Sequence, residues 1–297
     1  MSDDHSARIS AAFASPPSIL DGGFGAELLS ADVDLERDLE SHEQCVELLN
    51  VNRPDLVRQT HAAFQEAGAQ WLTTNTFCAD PASLERRGLG DRSDELTRAA
   101  VAICRGVASS KSLVLGSVGP GPGQAPPDAS ATRRFLESFV EAGVDGLLLE
   151  TQMSSGTLRT LLREAEAVRK VHASGLFLAV SCVVDSRGSL PAAPDDEERE
   201  LPALLRDHGV DLFALNCSTG CEPLRPALSR LRNAWPARFG IYPNAGVPSS
   251  DEAGPVQYPI GPDEFADGVL KLQREFEFDL IGGCCGASPA HIRALRS

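Results

Sequence analysis

Eight short, almost unbroken apolar runs punctuate the chain, and longer amphipathic stretches separate them. The runs are "SILDGG" (18–23), "WLTTNT" (71–76), "LVLGSV" (113–118) and "GLLLET" (146–151), followed by "LFLAVSCVV" (176–184), "LFALNC" (212–217), "FGIYPN" (239–244) and "DLIGGC" (279–284). Continuous hydrophobicity of this kind marks strands covered on both faces, as in a parallel sheet. Between them, "PDLVRQTHAAFQEAGA" opens on a proline and stops at Gly68, and "SSGTLRTLLREAEAVRKVH" repeats its apolar positions at helical spacing. Strand and helix alternating eight times predict a single-domain α/β fold, a (β/α)8 TIM barrel over residues 18–297, with an open doubly wound sheet as the structural alternative. Residues 1–17 read as a flexible leading segment.

Three stretches lack periodicity: 119–130, 185–200 and 246–262. Each follows a strand, which places it at the barrel end where active sites are built. The acid run at 195–200 reads as a solvated loop.

Charge and cysteine usage narrow the function. The chain of 297 residues carries 42 acidic against 27 basic residues, a formal charge of -15. Nucleic acid is excluded as a partner on this balance, because phosphate binding needs clustered Lys and Arg. The first residues, "MSDDHSARISAAFASPPS", have neither the basic start nor the apolar core of a signal peptide. No run approaches the roughly 20 apolar residues of a membrane span. A cytoplasmic location and no membrane partner are therefore expected, and in that compartment the eight cysteines read as metal ligands, catalytic groups or core thiols rather than disulfides.

Three of those cysteines fall at strand ends. Cys217 closes the sixth run, and Cys284 and Cys285 close the eighth. In a barrel these ends converge at one rim, so three thiolates would meet there, the donor set of a catalytic zinc with one open position. A substrate thiol entering that position would ionise at neutral pH. The same residues also allow a vicinal disulfide at 284–285, or plain buried thiols. Cys221 is a rival ligand.

Cys45, Cys78, Cys104 and Cys182 carry no assigned role. Other strand ends are polar: Asp21-Gly22-Gly23, Thr74-Asn75-Thr76, Glu150-Thr151 and Asn244. An acidic group ending an apolar strand needs a cationic partner. Asp21 and Glu150 could hold a substrate ammonium, and the amides after Asp21 a carboxylate. The set describes an amino acid that bears a thiol.

Seven segments in order, "LDGGFGAEL", "AGAQWLTTNTF", "GSVGP", "LLLET", "LNCS", "YPNAG" and "IGGCCGASPAHIRAL", resemble the homocysteine S-methyltransferases, zinc-dependent barrels that methylate homocysteine sulfur to give methionine. The likeness is closest to the homocysteine module of cobalamin-dependent methionine synthases. It implies zinc on Cys217, Cys284 and Cys285, with Asn244 able to fill the fourth position when substrate is absent. It also implies the homocysteine amino end on Asp21 and Glu150, and its carboxylate at Gly22 and Gly23. Thr74, Asn75, Thr76 and Tyr258 would shape the donor side.

The donor is left open among a methyl-corrinoid protein, S-methylmethionine and S-adenosylmethionine. Betaine is disfavoured, since Cys45, Cys78 and Thr151 align with the aromatic positions that would cage a trimethylammonium. Three alternatives remain: a subunit active only with a corrinoid partner, a methyltransferase for another thiol or selenol such as selenocysteine, and a thiol redox or zinc-holding protein without methyl transfer.

Overall fold

The computed structural model describes residues 2–123, 125–172, 175–193, 197–249 and 256–296. All eight expected strands form: β1 (Ser18–Ile19), β2 (Trp71–Thr73), β3 (Leu113–Val118), β4 (Gly146–Gln152), β5 (Phe177–Val183), β6 (Leu212–Cys217), β7 (Arg238–Pro243) and β8 (Leu280–Ile281). They lie in one parallel sheet of order β1-β8-β7-β6-β5-β4-β3-β2. A parallel bridge between Leu20 and Trp71 joins the two ends, aided by Asp21 N–H donating to Trp71 O at 3.0 Å. That contact closes the sheet into a barrel, with helices between the strands. The open-sheet alternative is thereby removed.

The helices obey their sequence signals. Pro54–Ala67 has its proline in the first turn, and Gly68 ends it at φ 111°, a left-handed cap that favours glycine. Ser155–His172 is the longest at 18 residues. Among the described residues no helix is long and apolar enough to cross a membrane.

Alternation along each strand sorts the barrel interior into layers. Trp71, Leu113, Leu115, Leu148, Phe177, Ala179, Leu212, Ala214 and Leu280 form one buried apolar cluster inside. Two residues further along β2, β3, β5 and β6 the inward positions become Thr73, Ser117, Ser181 and Asn216, all buried. The uppermost layer is therefore polar, at the C-terminal rim.

Expectation and structure part at three places. β1, β2 and β8 are shorter than their apolar runs, because Asp21–Gly23, Thr74–Thr76 and Gly282–Cys284 leave the ladder to build the rim. The acid-rich stretch 185–200 passes into a helix at Glu197–Asp207, with 194–196 outside the described residues. Of the loops at 119–130 and 246–262, Gln124 and residues 250–255 also lie outside.

The third difference lies at the start of the chain. Within the leading segment expected to be flexible, Ser2–Ala12 form a helix that closes the lower end of the barrel. Ile9, Ala12 and Phe13 pack on the interior cluster, and the Phe13 ring lies 5.1 Å from Trp71 and 5.9 Å from Phe177. Arg8 donates to Asp145 Oδ1 at 2.8 Å and to Ser112 O at 2.7 Å. Among the described residues three apolar side chains carry this docking, too few to stand out among the charges of the opening residues.

Phe13→Ala should therefore weaken the whole barrel by about 1–3 kcal/mol. Urea unfolding followed by circular dichroism would read this as a lower midpoint. An unchanged midpoint would mean the helix is not part of the core.

Candidate functional site

β6 and β8 deliver the thiols by abandoning regular geometry. Cys217 and Ser218 both adopt left-handed backbone, at φ 54° and 67°. This conformation is costly for residues with a side chain and swings Cys217 off the strand's alternation. Cys284 and Cys285 sit on a turn after β8, laced to the neighbouring strand end. Cys284 N–H donates to Pro243 O at 2.8 Å, Ala245 N–H to Cys285 O at 3.0 Å and Asn244 N–H to Cys217 O at 3.2 Å.

Gly23 and Gly286 make this packing possible. A methyl group on Gly23 would lie 2.6 Å from Cys284 O, and one on Gly286 would meet the Tyr258 ring.

The result is a cluster in which the three sulfurs lie within 4.8 Å of one another. Cys217 and Cys284 are 3.0 Å apart, and Cys284 and Cys285 4.0 Å. Metal–sulfur bonds of about 2.3 Å at tetrahedral angles require sulfurs about 3.8 Å apart, so the spacings bracket that value. Asn244 Oδ1, on the adjoining strand end, is buried without a hydrogen-bond partner among the described residues. Donor type, spacing and spare acceptor all fit a tetrahedral soft metal.

The thiols also constrain one another's charge. Hydrogen bonds from Cys217 and Cys284 pull Cys285 below the ordinary thiol range. Cys284 is raised by its bonds to Cys217 and Cys285 and by burial. At Cys217 the Cys284 contact pulls down, but the contact to Cys285 and burial outweigh it. Cys221 is not in this group; its sulfur packs against Gly268 on the helix Pro262–Phe276.

Two carboxylates face the same space. Asp21 is 1% exposed, and both its oxygens are held by Thr73, the backbone N–H at 2.7 Å and the hydroxyl at 3.0 and 3.1 Å. Burial nevertheless raises its pKa well above the usual carboxylate range, with the charge of Glu150 adding to the rise. Glu150 stands two places past the inward Leu148, where the β4–β5 register shifts between Leu149 and Gln152. Its Oε2 accepts from Ser117 Oγ at 2.6 Å, and burial pushes its pKa up to about 7.

Asp21, Glu150, Cys217, Cys284 and Cys285 line one cavity of about 370 Å³ together with Gly22, Gly23, Thr74 and Asn75. The structure thus gathers most of the residues expected from sequence.

Some are already committed within the protein. Gly23 N–H donates to Ala287 O at 2.9 Å, leaving Gly22 N–H as the amide with no partner among the described residues. Asn75 Nδ2 bonds Val46 O at 2.8 Å and Asn50 Oδ1 at 3.0 Å. Thr74 and Thr76 hydroxyls pair at 2.7 Å and tie to Ser117. These groups shape the cavity wall. Tyr258 interacts with the Cys285 thiol and packs over Gly286.

Sequence reading missed Thr73, Ser117, Ser181, Asn216 and Glu47. The first four were findable, since each stands two places past an inward apolar residue. Glu47, fully buried beside the cavity, accepts from Cys78 N–H at 2.8 Å, a contact no local pattern announces.

Known proteins share this architecture. The profile of the family described as homocysteine S-methyltransferase matches residues 18–297. The chain is 32% identical over 293 residues to a methionine synthase of Mycobacterium tuberculosis, covering 93% of this chain and 24% of that protein. Against the methionine synthase of Mycobacterium leprae the identity is 30% over 288 residues, with the same coverage. The chain spans about a quarter of the length of these relatives. Among solved structures, the metallated form of the homocysteine methyltransferase MmuM from Escherichia coli superposes with a TM-score of 0.76 at 25% identity, covering 98% of this chain and 100% of that one.

The electrostatics make a prediction of their own. A carboxyl whose folded pKa is raised from 4.5 to about 7 favours the folded state at low pH and loses that contribution as pH rises through 7. In metal-free protein, Glu150→Gln should gain on the wild type by about 1–3 kcal/mol between pH 5 and pH 8. Paired denaturant titrations would measure this. A stability difference independent of pH would show that Glu150 titrates normally.

Proposed function

Since the chain belongs to the homocysteine S-methyltransferase family, we propose that it transfers a methyl group to the sulfur of L-homocysteine, with zinc as its metal. The observation that carries this reading is the three-thiol cluster opening on a cavity that also holds two buried carboxylates.

Cys217, Cys284 and Cys285 would hold the zinc, and Asn244, whose backbone N–H bonds Cys217 O, would be the candidate for a weak fourth ligand. A zinc ion bound there lowers the pKa of an incoming thiol, so that the substrate sulfur is a thiolate at neutral pH. Asp21 and Glu150 would take the substrate ammonium. Their raised proton affinities mark a place where burial disfavours bare negative charge, which a bound ammonium would relieve. Gly22 N–H is the amide available to the carboxylate.

The sulfur then attacks the donor methyl carbon in line. A sulfur–carbon bond forms, the bond from donor to methyl breaks, and the donor keeps that electron pair. Asp21, fixed by Thr73, and Glu150, fixed by Ser117, keep the acceptor from turning during the displacement.

The donor is to be sought among methyl-corrinoid proteins and the sulfonium compounds. The likeness to methionine synthases favours the former, in which case activity appears only when a corrinoid protein is added. Betaine is again disfavoured, because Cys78 and Thr151 stand on the cavity wall where an aromatic cage would be required.

The test is zinc content after purification under reducing conditions, for the wild type and for Cys284→Ser. Zinc-edge X-ray absorption before and after homocysteine completes it. We expect one zinc per chain, lost in the variant, with a fourth sulfur joining the wild-type site. A zinc-free wild type, or a metal environment indifferent to homocysteine, would overturn the reading in favour of redox or packing thiols.

A further inference from the structure

In the polar layer beneath the thiol cluster, Ser181 and Asn216 are left without a task by the methyl-transfer scheme. The layer's centre is Asn216, 0% exposed, the inward residue above Leu212 and Ala214 on β6. Asn216 Nδ2 donates to Thr151 Oγ1 at 2.7 Å and lies 3.6 Å from Cys217 Sγ and 3.9 Å from Cys284 Sγ. Its Oδ1 is buried without a partner among the described residues, so the amide forgoes a bond on its oxygen side while its donor side faces sulfur.

Thr151 completes the arrangement. Having accepted from Asn216, its hydroxyl keeps a proton to give, and Cys217 Sγ is 3.8 Å away. Thr151 is a β-branched residue at φ 53°, a conformation that costs on the order of 1–3 kcal/mol and persists only when surroundings enforce it. Ser181 does so, accepting Thr151 N–H at 3.0 Å while it receives the Tyr242 hydroxyl. A chain of bonds therefore runs from Tyr242 through Ser181 and Thr151 to the sulfurs. It joins β7, β5, β4 and β6 across the barrel.

We propose that Asn216, with Thr151, is the positioning pair of the thiol centre, aiming N–H and O–H dipoles at Cys217 and Cys284 to hold them and offset their charge. This rests on reading the cluster as a metal site. Three thiolates on a divalent ion leave a net negative charge inside a barrel whose cavity offers no Lys, Arg or His among its lining residues. Fixed donors are the means at hand to offset it. A donor aimed at sulfur lowers the energy of its lone pairs, so removing it should make the thiolates richer in electrons, while the loss of fixed orientation should loosen the metal site.

Cobalt(II) is the probe, because its sulfur-to-metal charge-transfer band reports electron density at the thiolates, with zinc affinity measured by chelator competition. Asn216→Ala should move the band to lower energy and weaken zinc about 10- to 100-fold. Thr151→Val, which keeps the side-chain volume, should shift the band in the same direction, while Thr151→Ser should restore it. A merely structural role would leave the band in place in every folded variant. Thr151→Val and Thr151→Ser keep the question open to refutation if Asn216→Ala fails to fold. Wild-type spectra and affinities in both Asn216→Ala and Thr151→Val would overturn the inference. A wild type that binds neither cobalt nor zinc would overturn the metal reading itself, and this inference with it.

Discussion

Acidic groups are buried at one end of this barrel without a basic side chain among the residues that line the cavity, and the rest of the site answers to that constraint. Asp21, Glu47, Glu150 and three thiols surround a single space. Neutral, they are tolerated; ionised together, they would repel one another in a medium that screens poorly. The raised proton affinities of Asp21 and Glu150 express the cost of that burial. A metal at the sulfurs and an ammonium at the carboxylates each resolve one half of this stress. A field of this sign favours the entry of cations.

The barrel can carry that field because its layers separate two tasks. The lower interior, from Trp71 and Phe177 to Leu280, is apolar and is closed below by Phe13. Cohesion resides there. The upper layer gives up packing for hydrogen bonds: Thr73 to Asp21, Ser117 to Glu150, Ser181 to Thr151, Asn216 to Thr151. Strain gathers in the same layer, at Thr151, Cys217 and Ser218. Left-handed residues at strand ends turn side chains toward positions that regular alternation would deny them, and the dense bonding beneath keeps them there.

Much of this was legible in the sequence, for physical reasons. Strands covered on both faces betray themselves by continuous hydrophobicity, so all eight were found. A barrel brings strand ends together, so Cys217 and the 284–285 pair were placed at one rim before any geometry was known. The losses have reasons too. The helix Ser2–Ala12 docks through so few apolar contacts that its charged opening masked it. Strand run alone did not reveal that Gly23 and Asn75 spend their polar groups on Ala287, Val46 and Asn50, since those partners lie far away in sequence. Asn216 was passed over beside a more conspicuous cysteine, although its place above Leu212 and Ala214 pointed it inward.

The division between strand ends and loops bears on how such a barrel is used. Every group assigned to the acceptor amino acid or the metal sits at a strand end or on the turn just beyond it. The opposite wall of the cavity, with Leu29, Gln44, Phe77 and Cys78, is built from the connecting segments. Leu29 and Phe77 are exposed there despite being large and apolar. Loops on a barrel change without disturbing the sheet beneath. Buried acid awaiting cations is thus a property of the barrel itself, independent of those segments.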